Sequence, residues 1–169
     1  EIDRIEKLLS SQMENIILIG MPGCGKSSVG RALAEKLSRP FIDADTEIVK
    51  RAGCTIPEIF AKSGEPGFRK IESEVLADLG KLSGLVLATG GGCITRPENY
   101  PSLHQNGRIV WLTRPLELLP TDGRPMSQAN PLAALWEKRK ELYAQFSDVQ
   151  IANDGTIAEC VHAIEEALL

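Results

Sequence analysis

Short continuous apolar runs alternate along this chain with longer stretches whose apolar residues recur every three or four positions. The run NIILIG (15–20) predicts a buried strand, and SSVGRALAEKLS (27–38) a helix with Val29, Leu33 and Leu37 on one face. PFIDAD (40–45) reads as a second strand running into a loop. IPEIFAKSG (56–64) reads as a short helix closed by Gly64, and PGFRKIESEVLADLGKL (66–82) as a longer one that turns Phe68, Ile71, Val75 and Leu79 inward. LVLATGGG (85–92) predicts a third strand ending in three glycines, and RIVWLT (108–113) a fourth. NPLAALWEKRKELYAQF (130–146) predicts a helix with Pro131 in its first turn, where a missing N–H costs nothing. VQIA (149–152) is the last strand, and TIAECVHAIEEALL (156–169) a closing amphipathic helix. Ahead of all of these, EIDRIEKLLSSQ carries Ile2, Ile5, Leu8 and Leu9 at helical spacing.

Strands alternating with helices predict a three-layer α/β fold around a parallel sheet. Runs as apolar as IILI suit a sheet covered on both faces. Ligands of such sheets bind beyond the carboxyl ends of the strands. Gly20, Asp43, Asp45, Gly90 and Arg114 all fall there. PTDGRPMSQANP (120–131) is the one long Pro- and Gly-rich loop, a length typical of lids.

Composition narrows the function. The 169 residues suit one domain, and a net charge of −4 with no basic run argues against nucleic acid as a partner. An anion must be met here by locally placed groups. Cysteines at 24, 54, 93 and 160 are far apart and form no C-x-x-C pair, which argues against a zinc site and a disulfide framework. Reduced thiols, no apolar run of membrane-spanning length and no secretory signal make a cytoplasmic protein the expectation. His104 and His162 have no carboxylate or cysteine neighbours suggesting a site and receive no role. Trp111 and Trp136 read as core.

Gly20-Met-Pro-Gly-Cys-Gly-Lys-Ser27 matches G-x-x-x-x-G-K-[ST] between a strand and a helix, the context that turns the motif into a phosphate cradle. Gly23, Cys24, Gly25, Lys26, Ser27 and Ser28 would line it with backbone N–H groups and the helix N-terminus. Lys26 would reach the β- and γ-phosphates of ATP, and Ser27 would ligate Mg²⁺. No N-K-x-D for guanine occurs, and the third strand closes on Gly90-Gly91-Gly92 where a motor-type ATPase would show an acidic residue. Asp43 and Asp45 are then the carboxylates best placed for the metal and the acceptor. That pattern points to a small-metabolite kinase.

These residues resemble the shikimate kinases. The shared features are Gly-Cys-Gly-Lys-Ser (23–27), Asp43-Ala44-Asp45, TIPEIFAKSGEPGFRKIESEVL (55–76), Gly90 to Gly92, Arg124-Pro125, and Arg139 shortly before Leu142-Tyr143. The resemblance covers the chain from residue 15 to the last strand. It implies a five-stranded parallel sheet of order 2-3-1-4-5, a substrate-binding helical segment (46–82) and a lid (115–130). It implies ATP-dependent phosphorylation of a shikimate hydroxyl, with Mg²⁺. Asp45 would accept a hydrogen bond from the ring hydroxyls and take the proton of the attacking one. Asp43 would hold Mg²⁺ through water beside Ser27. Arg69 and Arg139 would clamp the substrate carboxylate, matching its planar fork. Glu72, one helical turn beyond Arg69, would orient that arginine and contact the ring hydroxyls. Gly90, Gly91 and Gly92 would let the substrate approach the backbone, and Arg124 would close over the γ-phosphate.

Each assignment has a plainer rival. Asp43 is also a good helix cap, Arg69 with Glu72 a possible surface ion pair, and Arg139 a member of the charged run EKRKE. The lid is short for the family: Glu117 stands where the members usually carry an arginine against adenine. Arg114 is the expected substitute, otherwise adenine rests on apolar and backbone contacts around Asn153 to Thr156. Residues 1–14, beginning on Glu1, read as a helical extension or linker, consistent with a module fused to another shikimate-pathway domain. Two other functions fit less well: a gluconate kinase-like enzyme, and a nucleotide-binding module without turnover.

Overall fold

The computed structural model describes residues 1–120 and 131–169. Among these, five strands form one parallel sheet of order β2-β3-β1-β4-β5: β1 Asn15–Ile19, β2 Phe41–Asp43, β3 Val86–Ala88, β4 Gly107–Thr113 and β5 Val149–Ala152. The helices are α1 Ile2–Met13, α2 Lys26–Leu37, α3 Ala44–Ala52, α4 Ile56–Leu79, α5 Asn99–His104, α6 Pro131–Phe146 and α7 Ile157–Leu168. Right-handed crossovers place α2 on one face of the sheet, where it packs on α7. The same rule puts α4 and α5 on the other face, where they pack together, with α6 against β4.

β1 lies at the centre, with Ile17 registered against Leu87 on one side and Ile109 on the other. All five of its residues are buried, as its unbroken apolar run requires. Where β1 ends, α2 leaves over one face; where its neighbour β3 ends, the chain leaves over the opposite face. The strand order switches there, and the crevice beyond the carboxyl ends of β1 and β3 is the place the topology sets aside for a ligand.

Two strands are shorter than their sequences suggest. β2 stops at Asp43 because the Asp43 side chain accepts from Asp45 N (2.9 Å) and caps α3, so Ala44 and Asp45 are helical. β3 stops at Ala88, and Gly90 to Gly92 form the turn beyond it. The predicted helices 56–64 and 66–82 form one run to Leu79, broken at Gly64, whose φ of 64° and ψ of −172° no helix accommodates. Pro66 follows the break, where the second half begins. The short helix α5 had no periodicity to announce it. α1 forms as expected, with Ile2, Ile5, Leu8, Leu9 and Met13 exposed. No described helix is long and apolar enough to cross a membrane.

The floor of the sheet depends on one polar side chain. Asn15, with 0% of its surface exposed, donates to Leu82 O (2.7 Å) and accepts from Leu85 N (3.1 Å), joining the start of β1 to the turn that leads into β3. Asn15→Leu keeps the branched shape and leaves the buried Leu85 N–H without its acceptor. Urea unfolding should show a loss of about 1–3 kcal/mol; a change below about 0.5 kcal/mol would contradict this role.

Candidate active site

The P-loop follows directly from β1. Gly20 is pressed so closely against Leu112 O and Cys24 Sγ that a Cβ would lie 2.6 Å and 2.8 Å from them. Gly25, at φ +98°, caps α2 in the left-handed region that glycine alone adopts freely. Lys26, with 8% of its surface exposed, folds back and donates to Gly20 O (2.8 Å) and Met21 O (2.9 Å). Cys24 Sγ lies 3.8 Å from Lys26 Nζ, and burial pushes its thiol pKa up.

Asp43 serves two partners at once. Its Oδ1 caps α3 while its Oδ2 accepts from Ser27 Oγ at 2.7 Å. Capping and a part in the cradle, rivals in the sequence, are therefore compatible. Ser27 and Asp43 offer adjacent hard oxygen donors, the ligand type Mg²⁺ prefers. They line a pocket of about 420 Å³ with Gly23, Gly25, Lys26 and Asp45, closed on the β3 side by Thr89, Gly90 and Gly91.

Across this pocket α3, α4 and the glycine turn converge. Glu72, fully buried, accepts from Arg69 Nη1 at 2.8 Å, and the Arg69 side chain keeps only 12% of its surface exposed. This is no surface ion pair. Two oxygens nearby, Asp45 Oδ1 and Glu72 Oε2, are buried without a hydrogen-bond partner. Both face Gly90, where a Cβ would come within 3.2 Å and 3.1 Å of them. Buried carboxylate oxygens without donors are costly, so their convergence marks a place for a ligand's hydroxyl groups. Burial raises both carboxyl pKa values. For Asp45 the nearby Asp43 adds to the rise, with Lys26 and Arg69 opposing; for Glu72 the hydrogen bond and charge of Arg69 oppose it.

The three glycines have three separate tasks. Gly90 faces the carboxylates, a Cβ on Gly91 would meet the Pro22 ring at 2.8 Å, and one on Gly92 would overlap the Arg69 guanidinium. Close packing of the P-loop and of Arg69 thus accounts for two of them. Tyr143, missed as a site residue, is buried and donates to Gly91 O at 2.6 Å. Its hydroxyl neighbours Arg139, whose positive charge also reaches Glu72. Arg139 is thus close enough to both for its charge to act on them. Trp111 stacks on Tyr143 and leans on Trp136, as core residues.

A second pocket, of about 360 Å³, adjoins the cradle between Gly23, Ser28, Arg114, Pro120, Asn153 and Ile157. Arg114 is at its wall, but its Nη1 donates to Asn153 O (2.9 Å). Glu117 is exposed. Arg124, and the lid residues 121–130 with it, lie outside the described residues. Both histidines do have carboxylate partners, His104 with Asp148 (3.1 Å) and His162 with Glu166 (3.0 Å), on exposed surface away from the crevice.

A P-loop whose pocket also holds Asp43 and Asp45 is the arrangement of a P-loop phosphotransferase. The family model described as shikimate kinase matches residues 22–169. A shikimate kinase of Synechococcus sp. (strain CC9902) is 49% identical over 141 residues, 78% of this chain and 73% of that protein. One from Pseudomonas putida is 44% identical over 151 residues, 84% of this chain and 88% of that protein. The structure superposes on a shikimate kinase of Acinetobacter baumannii in complex with shikimate with a TM-score of 0.84 and 40% identity, over 95% of this chain and 96% of that one. For the Aquifex aeolicus shikimate kinase the TM-score is 0.81 at 35% identity, over 91% and 95%. The chain belongs to the shikimate kinase family.

The raised carboxyl pKa of Asp45 gives a signed test. A carboxyl whose folded pKa exceeds its unfolded one favours the fold below the unfolded value of 3.8, and that contribution is lost as pH rises through the folded value. Asp45→Asn should therefore unfold at higher urea than the parent at pH 8, with the gain vanishing below pH 3.8. A variant less stable than the parent at pH 8 would contradict the unpartnered, desolvated state of this group.

Proposed function

We propose that this protein transfers the γ-phosphoryl group of ATP to a ring hydroxyl of shikimate, giving shikimate 3-phosphate and ADP. The observation that carries the reading is the pair of buried, unpartnered oxygens, Asp45 Oδ1 and Glu72 Oε2, which meet at Gly90 beside the Arg69 guanidinium, with Asp45 and Gly90 lining the pocket of the P-loop. The family membership supports it, as does the likeness to a shikimate kinase in complex with shikimate.

Arg69 and Arg139 bind the substrate carboxylate, and the two free oxygens accept from its ring hydroxyls. One hydroxyl gives its proton to Asp45 Oδ1 as its oxygen bonds to the γ-phosphorus. The bridging bond to the β-phosphate breaks, and the electron pair leaves with ADP. Burial, which raises the Asp45 carboxyl pKa, strengthens it as a base toward this proton. Lys26 exchanges its contacts with Gly20 O and Met21 O for phosphate oxygens, and Gly23 to Ser28 present backbone N–H groups to the phosphates. Ser27 and Asp43 would hold Mg²⁺, which neutralises phosphate charge when bound. Arg124 would add positive charge at the γ-phosphate. Shikimate and ATP are the partners this chemistry requires.

ADP release from Mg-ATP, measured with shikimate, with gluconate and with no acceptor, separates this reading from its rivals. Release with shikimate alone is expected, whereas release with gluconate, or bound ATP without turnover, would overturn it. In the same assay Arg69→Lys keeps the charge and loses the fork. Its KM for shikimate should rise at least ~10-fold, the equivalent of about 1.4 kcal/mol; an unchanged KM would contradict the carboxylate assignment.

A further inference from the structure

Asn153 stands just beyond β5, 129 residues from the P-loop in sequence, yet its side chain reaches into it. Asn153 Nδ2 donates to Cys24 O at 2.7 Å, a buried bond. Asn153 is itself held on both sides by β4 and its extension: its N–H donates to Thr113 O (2.7 Å), and its carbonyl accepts from Arg114 Nη1 (2.9 Å). It is 5% exposed and sits so close to Gly25 that a Cβ there would lie 2.5 Å from Nδ2. The sequence places the 153–156 segment near adenine through apolar and backbone contacts, and gives the Asn153 side chain no part in holding phosphate.

The bond has a directional consequence. No cis peptide is present among the described residues, so the Cys24–Gly25 peptide is trans, and its C=O and N–H point in opposite directions. Holding Cys24 O on Asn153 turns the Gly25 N–H away from Asn153. Asn153 lines the second pocket and not the first, whereas Gly25 lines both. The Gly25 N–H is therefore aimed at the side of the loop that holds Lys26 and Ser27. A glycine at φ +98° has little steric reason to keep that peptide from flipping. The restraint must come from outside the loop.

We infer that Asn153 is a positioning residue for phosphate binding: by fixing the Cys24 carbonyl it keeps the Gly25 N–H directed at the nucleotide's phosphates. It thereby links the strength of the cradle to the far edge of the sheet. This rests on the assignment of the P-loop to ATP, and the experiment separates the two. Parent protein, Asn153→Leu (similar volume, no donor) and Asn153→Ala are compared for KM of ATP and of shikimate and for thermal midpoint. Binding of tripolyphosphate, which carries no base, is measured by calorimetry. Failure of the parent to bind ATP would remove the underlying reading. If the parent binds, both variants should raise the KM for ATP at least ~10-fold, weaken tripolyphosphate in parallel, and leave the KM for shikimate within about twofold. A KM for ATP within about twofold of the parent would overturn the inference. So would a loss of ATP affinity with tripolyphosphate binding intact, because Asn153 would then act on the base, and so would equal rises in both KM values, the mark of general loosening.

Discussion

Burial of β1 on both faces is the constraint on which everything else in this structure depends. Ile17, Leu18 and Ile19 have no contact with water, and β3 and β4 flank them. A strand so enclosed has one exit, at its carboxyl end, where the topology switches direction. Gly20 is pinned there by Leu112 O, and the loop that follows must turn its N–H groups into the crevice. The net charge of the protein is negative, so no general field attracts ATP. Attraction comes from one loop, one lysine and one helix end, all placed by the central strand.

The opposite wall shows the reverse economy. Helices α3 and α4 carry two carboxyls into a desolvated space and leave one oxygen of each without a donor. Arg69 offsets this for both carboxyls, with Lys26 acting on Asp45 and Arg139 on Glu72. A fold selected for stability alone would not keep such an arrangement. A site that must recognise hydroxyl groups needs unsatisfied acceptors held rigidly, because a substrate hydroxyl replaces the water they lost. The glycine turn makes the arrangement fit: Gly91 admits Pro22, and Gly92 admits Arg69.

Much of this was legible in the residues. The P-loop, the five strands and the pairing of Arg69 with Glu72 follow from spacing and periodicity, which report local structure directly. Asp45 was read at or just beyond a strand end, and it lies in the first turn of the helix that Asp43, also read as a good cap, initiates. Helix α5 was missed because six residues give too few turns for a period to show. Asn153 was read only as a neighbour of adenine and Tyr143 only as part of a motif, and what their side chains hold stayed hidden for a different reason. Each acts through one hydrogen bond to a distant backbone carbonyl, and no local motif encodes such a bond. Arg114 was read as the substitute for an arginine against adenine; it lines the pocket beside the cradle and donates from Nη1 to the Asn153 carbonyl, a bond no local motif shows.

The most direct test is a crystal structure of this protein with shikimate and a non-hydrolysable ATP analogue. The expected result places one ring hydroxyl within hydrogen-bond distance of Asp45 Oδ1 and in line with the γ-phosphorus, with the carboxylate on Arg69. A shikimate molecule bound with its carboxylate away from Arg69, and Asp45 Oδ1 still without a partner, would contradict it.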